Sequence, residues 1–266
     1  MNDSIKENVY LSCHAKAREH EMLYHYTSFE SLLSIISSKQ FRLTHIAFLN
    51  DPVEYERLSH DPFIQNKIYA GCFNHIAEDT IPLWKMYADG AYGIRIGFPG
   101  SSVPFLEDKL CYKFGIIDNA LSLLDDKLHI NWKVNDASLL DVSYQDDVND
   151  ESENSDELTV QPDNYATGFS KRKCWEFEQE TRIRVGLQPV GELGAWVDKK
   201  TTLFKYATSP YRYIYFQIPD SVLLDMRIMF SPKSNDQLVA MMKNEIKRLL
   251  QDYKDENFQK SSIRIR

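Results

Sequence analysis

Closely spaced cysteines are missing from this sequence. Its four, Cys13, Cys72, Cys111 and Cys174, stand far apart, so no pair has the two- to four-residue spacing of a zinc site. Cys72, within an apolar run, reads as a small core residue. Glycine is sparse too: the ten glycines never form GxGxxG or GxxxxGK, which excludes the common phosphate-cradling loops. A GxSxG elbow, an HExxH pair and a His-rich tract are absent, and the seven histidines are scattered, so no metal is expected. A basic surplus is lacking as well. The net charge is −8, and Asp146–Glu157 alone holds seven carboxylates without a base. Removing those seven leaves the rest of the chain at −1, which argues against a broad DNA-wrapping face but not against a small nucleic-acid target in a local pocket. No apolar run approaches a membrane span and no signal-peptide pattern opens the chain. The expectation is a reduced, cytoplasmic protein without a membrane partner.

Aromatic residues are plentiful: 15 Tyr and 14 Phe in 266 residues, with 43% hydrophobic content, a globular composition. Residues 1–21 read as a polar arm, residues 22–252 as one α+β domain, and residues 253–266 as a tail. A mobile acidic loop is expected over about 145–163. Met22–Tyr26 predicts an aromatic strand, and Thr27 with Glu30 a capping box. Phe29, Leu32, Leu33 and Ile36 then give a helical stripe. Strands are expected at Phe41–Thr44 and Ile68–Phe73. The alternation of Tyr92, Ile94, Ile96 and Phe98 predicts another with one buried face. Asn50-Asp51-Pro52 reads as a turn into a helix, and Pro82 as the first turn of a helix through Leu83, Trp84 and Tyr87. Residues 109–117 look strand-like and 119–128 helical. Residues 139–144 suggest a strand, and Phe169–Glu178 a helix leading into one. Strands at Tyr211–Ile218 and Met226–Phe230 and a helix capped by Ser234 complete the pattern.

The polar-aromatic groups at element ends are the candidate chemistry. His25 stands at the edge of the first strand beside Tyr26 and Thr27. Asn50, Asp51 and Glu54 form a second group, equally readable as an Asx-turn and helix start. Trp84 and Tyr87 lie on adjacent turns, with core packing the stronger reading for Trp84. In "KCWEFEQETRIRV", Glu176, Glu178 and Glu180 recur every second residue ahead of Arg182 and Arg184. This is a strand start delivering a carboxylate to a cleft, with Trp175 and Phe177 anchoring the end of the preceding helix in the core, or else a surface ion-pair ladder.

Taken in order, Leu23–Tyr26, Asn50–Glu54, Trp84–Phe98 with Gly93 and Gly97, Val142-Ser143-Tyr144 and the run from Lys173 or Lys171 to Arg182 resemble a bacterial family of unknown function. The likeness spans roughly residues 22–250. The "HYTS" strand running into a helix, and a glutamate opening a later strand, also resemble the outer motifs of the ADP-ribosyltransferase fold. That resemblance implies a mixed or split β-sheet flanked by helices, with NAD as substrate. His25 would contact a ribose hydroxyl and Glu180 would be the catalytic glutamate, with Glu178 its rival. The fold's middle tyrosine falls to Tyr87, Tyr92 or Tyr69. Tyr26, Thr27, Asn50, Asp51, Glu54, Trp84, Lys173, Trp175 and Arg182 would complete the substrate-binding set.

Three functions follow as expectations. The first is an NAD-consuming enzyme, transferring ADP-ribose to a macromolecular acceptor or hydrolysing NAD, in defence or conflict between bacteria and phage. The second is a non-catalytic sensor that binds a nucleotide ligand in an aromatic cleft. The third is a Mg²⁺-dependent phosphodiesterase or nuclease using Asp51, Glu54, Glu178 and Glu180, since hard cations take carboxylate oxygen.

Overall fold

A computed structural model describes residues 19–56, 67–100, 131–145, 168–190, 209 and 211–264. The predicted elements at 109–117 and 119–128 and the acidic run fall outside the described residues. The first strand, β1 (Met22–Ser28), runs directly into α1 (Phe29–Ser38), which presents Phe29, Leu32, Ile35 and Ile36 to the core. Ser28 rather than Thr27 caps α1, its hydroxyl accepting from Ser31 N at 3.1 Å. Thr27 stays in the strand because β1 pairs with β4 (Gly93–Pro99) as far as Ser28 opposite Gly93. After β2 (Gln40–His45) and a 3₁₀ turn come α2 (Pro52–Glu56), β3 (Ile68–Asn74) and α3 (Ile81–Tyr87).

Several expectations shift by a residue or change type. Strand β4 is buried on both faces, not one, and Tyr92 lies outside it, 55% exposed. The segment at 139–144 is the end of β5 (Asn131–Asp141) followed by β6 (Ser143–Gln145). Phe169–Glu178 is not an α-helix. It holds β7 (Ser170–Arg172), paired in parallel with β6, and a 3₁₀ turn at Lys173–Glu178. Phe177 is 39% exposed and Trp175 half-buried, so neither anchors that turn in the core. Strand β8 (Glu180–Val190) follows, then β9 (Tyr213–Gln217), α4 (Asp220–Asp225), β10 (Arg227–Phe230) and α5 (Asp236–Leu249). Asn235 caps α5 by accepting from Leu238 N at 2.8 Å, while Ser234 donates to Ala91 O. The last strand, β11 (Phe258–Lys260), pairs in parallel with β10, so the chain beyond residue 252 belongs to the sheet.

The architecture is α+β. One mostly antiparallel sheet runs β11-β10-β4-β1-β3-β2-β9, with β8 on β3 and β5 on β8. Strand β3 is shared between two halves: it meets β1 only at Asn74 opposite Tyr24, and β2 only at Ala70 and Tyr69 opposite Thr44 and His45. Between those contacts, along Gly71–Phe73, the strands part and the sheet is split. The main core packs Leu23, Phe41, Phe73, Ile183, Val185 and Leu223 with α1 and α5, and a smaller cluster of Tyr26, Leu83, Trp84 and Ala88 seats α3. Among the described residues no helix is long and apolar enough to cross a membrane.

Candidate functional site

Strand alternation builds the site. Asn74 opposes Glu180, Cys72 opposes Arg182 and Ala70 opposes Arg184. These side chains therefore share one face, while Phe73, Thr181 and Ile183 point to the other. Glu178 joins them from the preceding turn. Gln179 takes a left-handed backbone (φ 43°), which ends the 3₁₀ turn and lets both glutamates face inward. Asn74 Nδ2 holds the turn by donating to Glu178 O.

The carboxylates meet two cations in a network whose members are each at most 5% exposed. Arg182 grips Glu180 through Nε (2.7 Å) and Nη2 (3.0 Å), and its Nη1 and Nη2 also reach Glu54, the Nη2 contact at 3.1 Å. Lys171 donates to Glu178 and, at 3.3 Å, to Glu180. Tyr87 donates to Glu178 Oε1, and Tyr144 Oη accepts from Glu180 N at 2.8 Å. Within these contacts three carboxylates share two cations, and Arg184 is buried on the same face of β8. Burial alone would raise the Glu180 pKa, yet Arg182 and Lys171 outweigh it and bring it to about 2. Burial dominates at Glu178, with Glu180 adding repulsion against the pull of Lys171, and its pKa rises above the ordinary value. The Cys72 thiol is pushed well up, first by burial and then by Glu180.

The split in the sheet opens this network to a cleft of about 470 Å³, within the range of small-molecule sites. Glu178, Glu180, Tyr87 and Asn50 line it, together with Tyr24–Thr27 and residues of β2 and β9. His25 reaches across the split, Nδ1 lying 3.0 Å from Cys72 O. A carbonyl only accepts, so Nδ1 carries the proton and Nε2 is left as an acceptor. Burial lowers the His25 pKa, partly opposed by that hydrogen bond, and the ring is neutral at pH 7.

Of the residues expected from the sequence, His25, Tyr26, Thr27, Asn50, Tyr87, Glu178, Glu180 and Arg182 all line this cleft. Glu54 lies behind it on Arg182, and Asp51 pairs with Arg172 at 2.9 Å. Trp84 is buried under α3, donating to Asp79 at 2.7 Å. Trp175 lies under the Lys171 ammonium, 4.6 Å from its ring centroid. Tyr92 and Lys173 are surface residues away from the cleft. Tyr69 turns to the opposite face and bonds Ser209 and Tyr211 O, so of the three candidate tyrosines only Tyr87 reaches the carboxylates. Lys171, Cys72, Asn74 and Tyr144 were not in the expected set. The lysine was visible as the alternative to Lys173, and Tyr144 as part of Val142-Ser143-Tyr144; Cys72 required the β3–β8 register. Compared with protein-family models, curated proteins and solved structures, the chain matches none.

Proposed function

We propose that the chain binds NAD in the split of the sheet and breaks the nicotinamide–ribose bond, passing ADP-ribose to a macromolecular acceptor or to water. The observation that carries this reading is the cleft's pairing of a neutral His25, with Nε2 open as an acceptor, and a buried network of carboxylates that brings Glu178 and Glu180 to its lining. As the C1′–N bond breaks, nicotinamide leaves as a neutral base and positive charge develops on the ribose. A preorganised carboxylate in a low-dielectric site stabilises that charge. Glu180, ionised throughout the physiological range, is suited to this role. Glu178, whose pKa is raised, is suited to take the proton of the attacking hydroxyl. Two carboxylates with environments that push them apart divide the work in this way. His25 Nε2 accepts from a ribose hydroxyl, and Lys171 and Tyr87 hold Glu178 in place. The phosphodiesterase alternative draws less support, because Asp51, Glu54, Glu178 and Glu180 are each engaged by Arg or Lys. A cleft that binds a nucleotide without turnover remains the second reading, favoured by the engagement of both Glu180 oxygens by Arg182.

The test is nicotinamide release from NAD by wild type and Glu180→Gln, with binding followed by calorimetry. Gln keeps the shape and loses the charge, so kcat falls by at least about 100-fold while the fold persists. Unchanged turnover in the variant overturns the assignment of Glu180. NAD binding without release in the wild type selects the sensor, and no binding at millimolar NAD overturns the NAD-consuming reading.

A further inference from the structure

On the face of β8 opposite Glu180, three side chains from distant parts of the chain converge. His20 stands just before β1, His75 just after β3, and Asp141 ends β5. His20 Nε2 lies 2.9 and 3.0 Å from the two Asp141 oxygens. His75 Nδ1 lies 3.8 Å from Asp141 Oδ1 and 3.0 Å from Thr181 Oγ1, whose hydroxyl donates to Asp141 at 2.5 Å. The three donor atoms fall within 4.8 Å of one another, and all three residues are half-buried. The two imidazoles are stacked, 4.0 Å between centroids and 6° between planes.

Two stacked imidazoles and one carboxylate thus bring three donor atoms to the same small space. A divalent cation satisfies both ring nitrogens and the carboxylate together. Bonds of about 2.0–2.2 Å to a tetrahedral zinc place ligand atoms roughly 3.3–3.5 Å apart, and the 2.9 and 3.8 Å separations bracket that spacing. Nearly parallel rings aim their nitrogens side by side, so capture requires His75 Nδ1 to give up its proton and its hydrogen bond to Thr181 Oγ1 and the His20 ring to turn. It lies on the segment entering β1, and the hydrogen bonds it gives up are those to Asp141 that the metal replaces.

We propose that His20, His75 and Asp141 form a zinc-binding site that clips the entry of β1 to the ends of β3, β5 and β8, with the Thr181 hydroxyl orienting the Asp141 carboxylate. Two imidazoles and one carboxylate form a nitrogen- and oxygen-donor set suited to Zn²⁺, with water in the remaining position. The site does not depend on the reading of the cleft, since Thr181 and Glu180 point to opposite faces. It was hidden in the sequence because its ligands share no local spacing.

The tag-free full chain, stripped with chelator, is titrated with Zn²⁺ by calorimetry and with Co²⁺ by visible absorption. One equivalent binds in the micromolar range or tighter, Co²⁺ gives the ligand-field bands of a low-coordinate site, and Zn²⁺ raises Tm. Losing an outer partner alone costs about 10–100-fold in affinity, so His75→Ala and His20→Ala each weaken binding by more than about 100-fold. His20→Ala, changed outside the sheet, serves if His75→Ala fails to fold. No saturable binding by the wild type, or full affinity in the soluble variants, overturns the site.

Discussion

Glu178 and Glu180 are two residues apart and differ in the groups around their carboxylates. Glu180 is held by Arg182 through two nitrogens, whereas Glu178 shares Lys171 and takes a neutral phenol. The pH dependence of stability follows with opposite signs. The folded-state pKa of Glu180 is depressed from 4.5 to about 2, so its stabilisation is present above the ordinary carboxylate range and is lost as pH falls toward 2. Glu178 is raised, so its ionisation costs stability and its protonation on acidification partly offsets that loss. Urea midpoints measured from neutral pH downward therefore fall less steeply for Glu180→Gln than for wild type, and more steeply for Glu178→Gln. Parallel curves for all three would mean that neither carboxylate is coupled to folding in this way. At this scale the sequence was informative about the acids and poor about the bases. The spacing of Glu178, Glu180 and Arg182 was enough to place them together. Nothing local distinguished Lys171, on a strand facing inward, from Lys173, on the exposed start of a turn, because the strand itself was not foreseen.

Element types were legible where a hydrophobic period was strong, as in α1 and α5, or an apolar run was continuous, as in β3, and failed where pairing sets the boundary. Thr27 and Ser28 are both capping types, and the β1–β4 register, not local chemistry, chooses Ser28. Residues 169–178 carry no period that distinguishes an α-helix from a short strand and a 3₁₀ turn. The join between α3 and β4 shows how an element boundary sets the site. A Cβ on Gly93 would lie 2.0 Å from Ala88 O and 3.0 Å from Ala88 C, both backbone atoms. Gly93 thus permits the close return that seats the end of α3, and Tyr87 with it, against Glu178. Gly93→Ala forces these backbones apart, at a cost of about 1–3 kcal/mol. It also releases the Tyr87 hydroxyl from Glu178, which the titration of Glu178 followed by side-chain NMR reports. A variant with unchanged stability and an unchanged Glu178 titration would show that the turn does not position the tyrosine.

The split of the sheet is a property of the whole molecule, invisible in any segment, because it arises from β3 being shared at its two ends by β1 and β2. A split sheet was expected only through a resemblance, and the pairing that produces one here joins residues as distant as Tyr24 and Asn74. The C-terminal strand is a long-range feature of the same kind. The boundary read at residue 252 set the chain beyond it apart as a tail, yet Phe258–Lys260 adds an edge strand to β10. Tyr253 is buried and donates to Met226 O at 2.7 Å, Asn257 donates to Leu224 O at 2.9 Å, and Phe258 stacks on Phe230 at 5.7 Å. Ser261 donates to the same Asp79 carboxylate that receives Trp84, and Ile263 packs against the cluster beneath α3. The C-terminal segment therefore supports both the edge of β10 and the helix that carries Tyr87. A chain truncated after Asp252 loses one buried aromatic, worth about 1.5–3 kcal/mol, together with these hydrogen bonds, and exposes β10 as an unpaired edge. The expected result is a lower urea midpoint, concentration-dependent light scattering and weaker ligand binding in the cleft, although no cleft residue has been removed. A truncated protein that matched the full chain in midpoint and scattering would show that β11 adds nothing to the sheet. One that lost stability but bound the cleft ligand normally would uncouple α3 from the C-terminal segment.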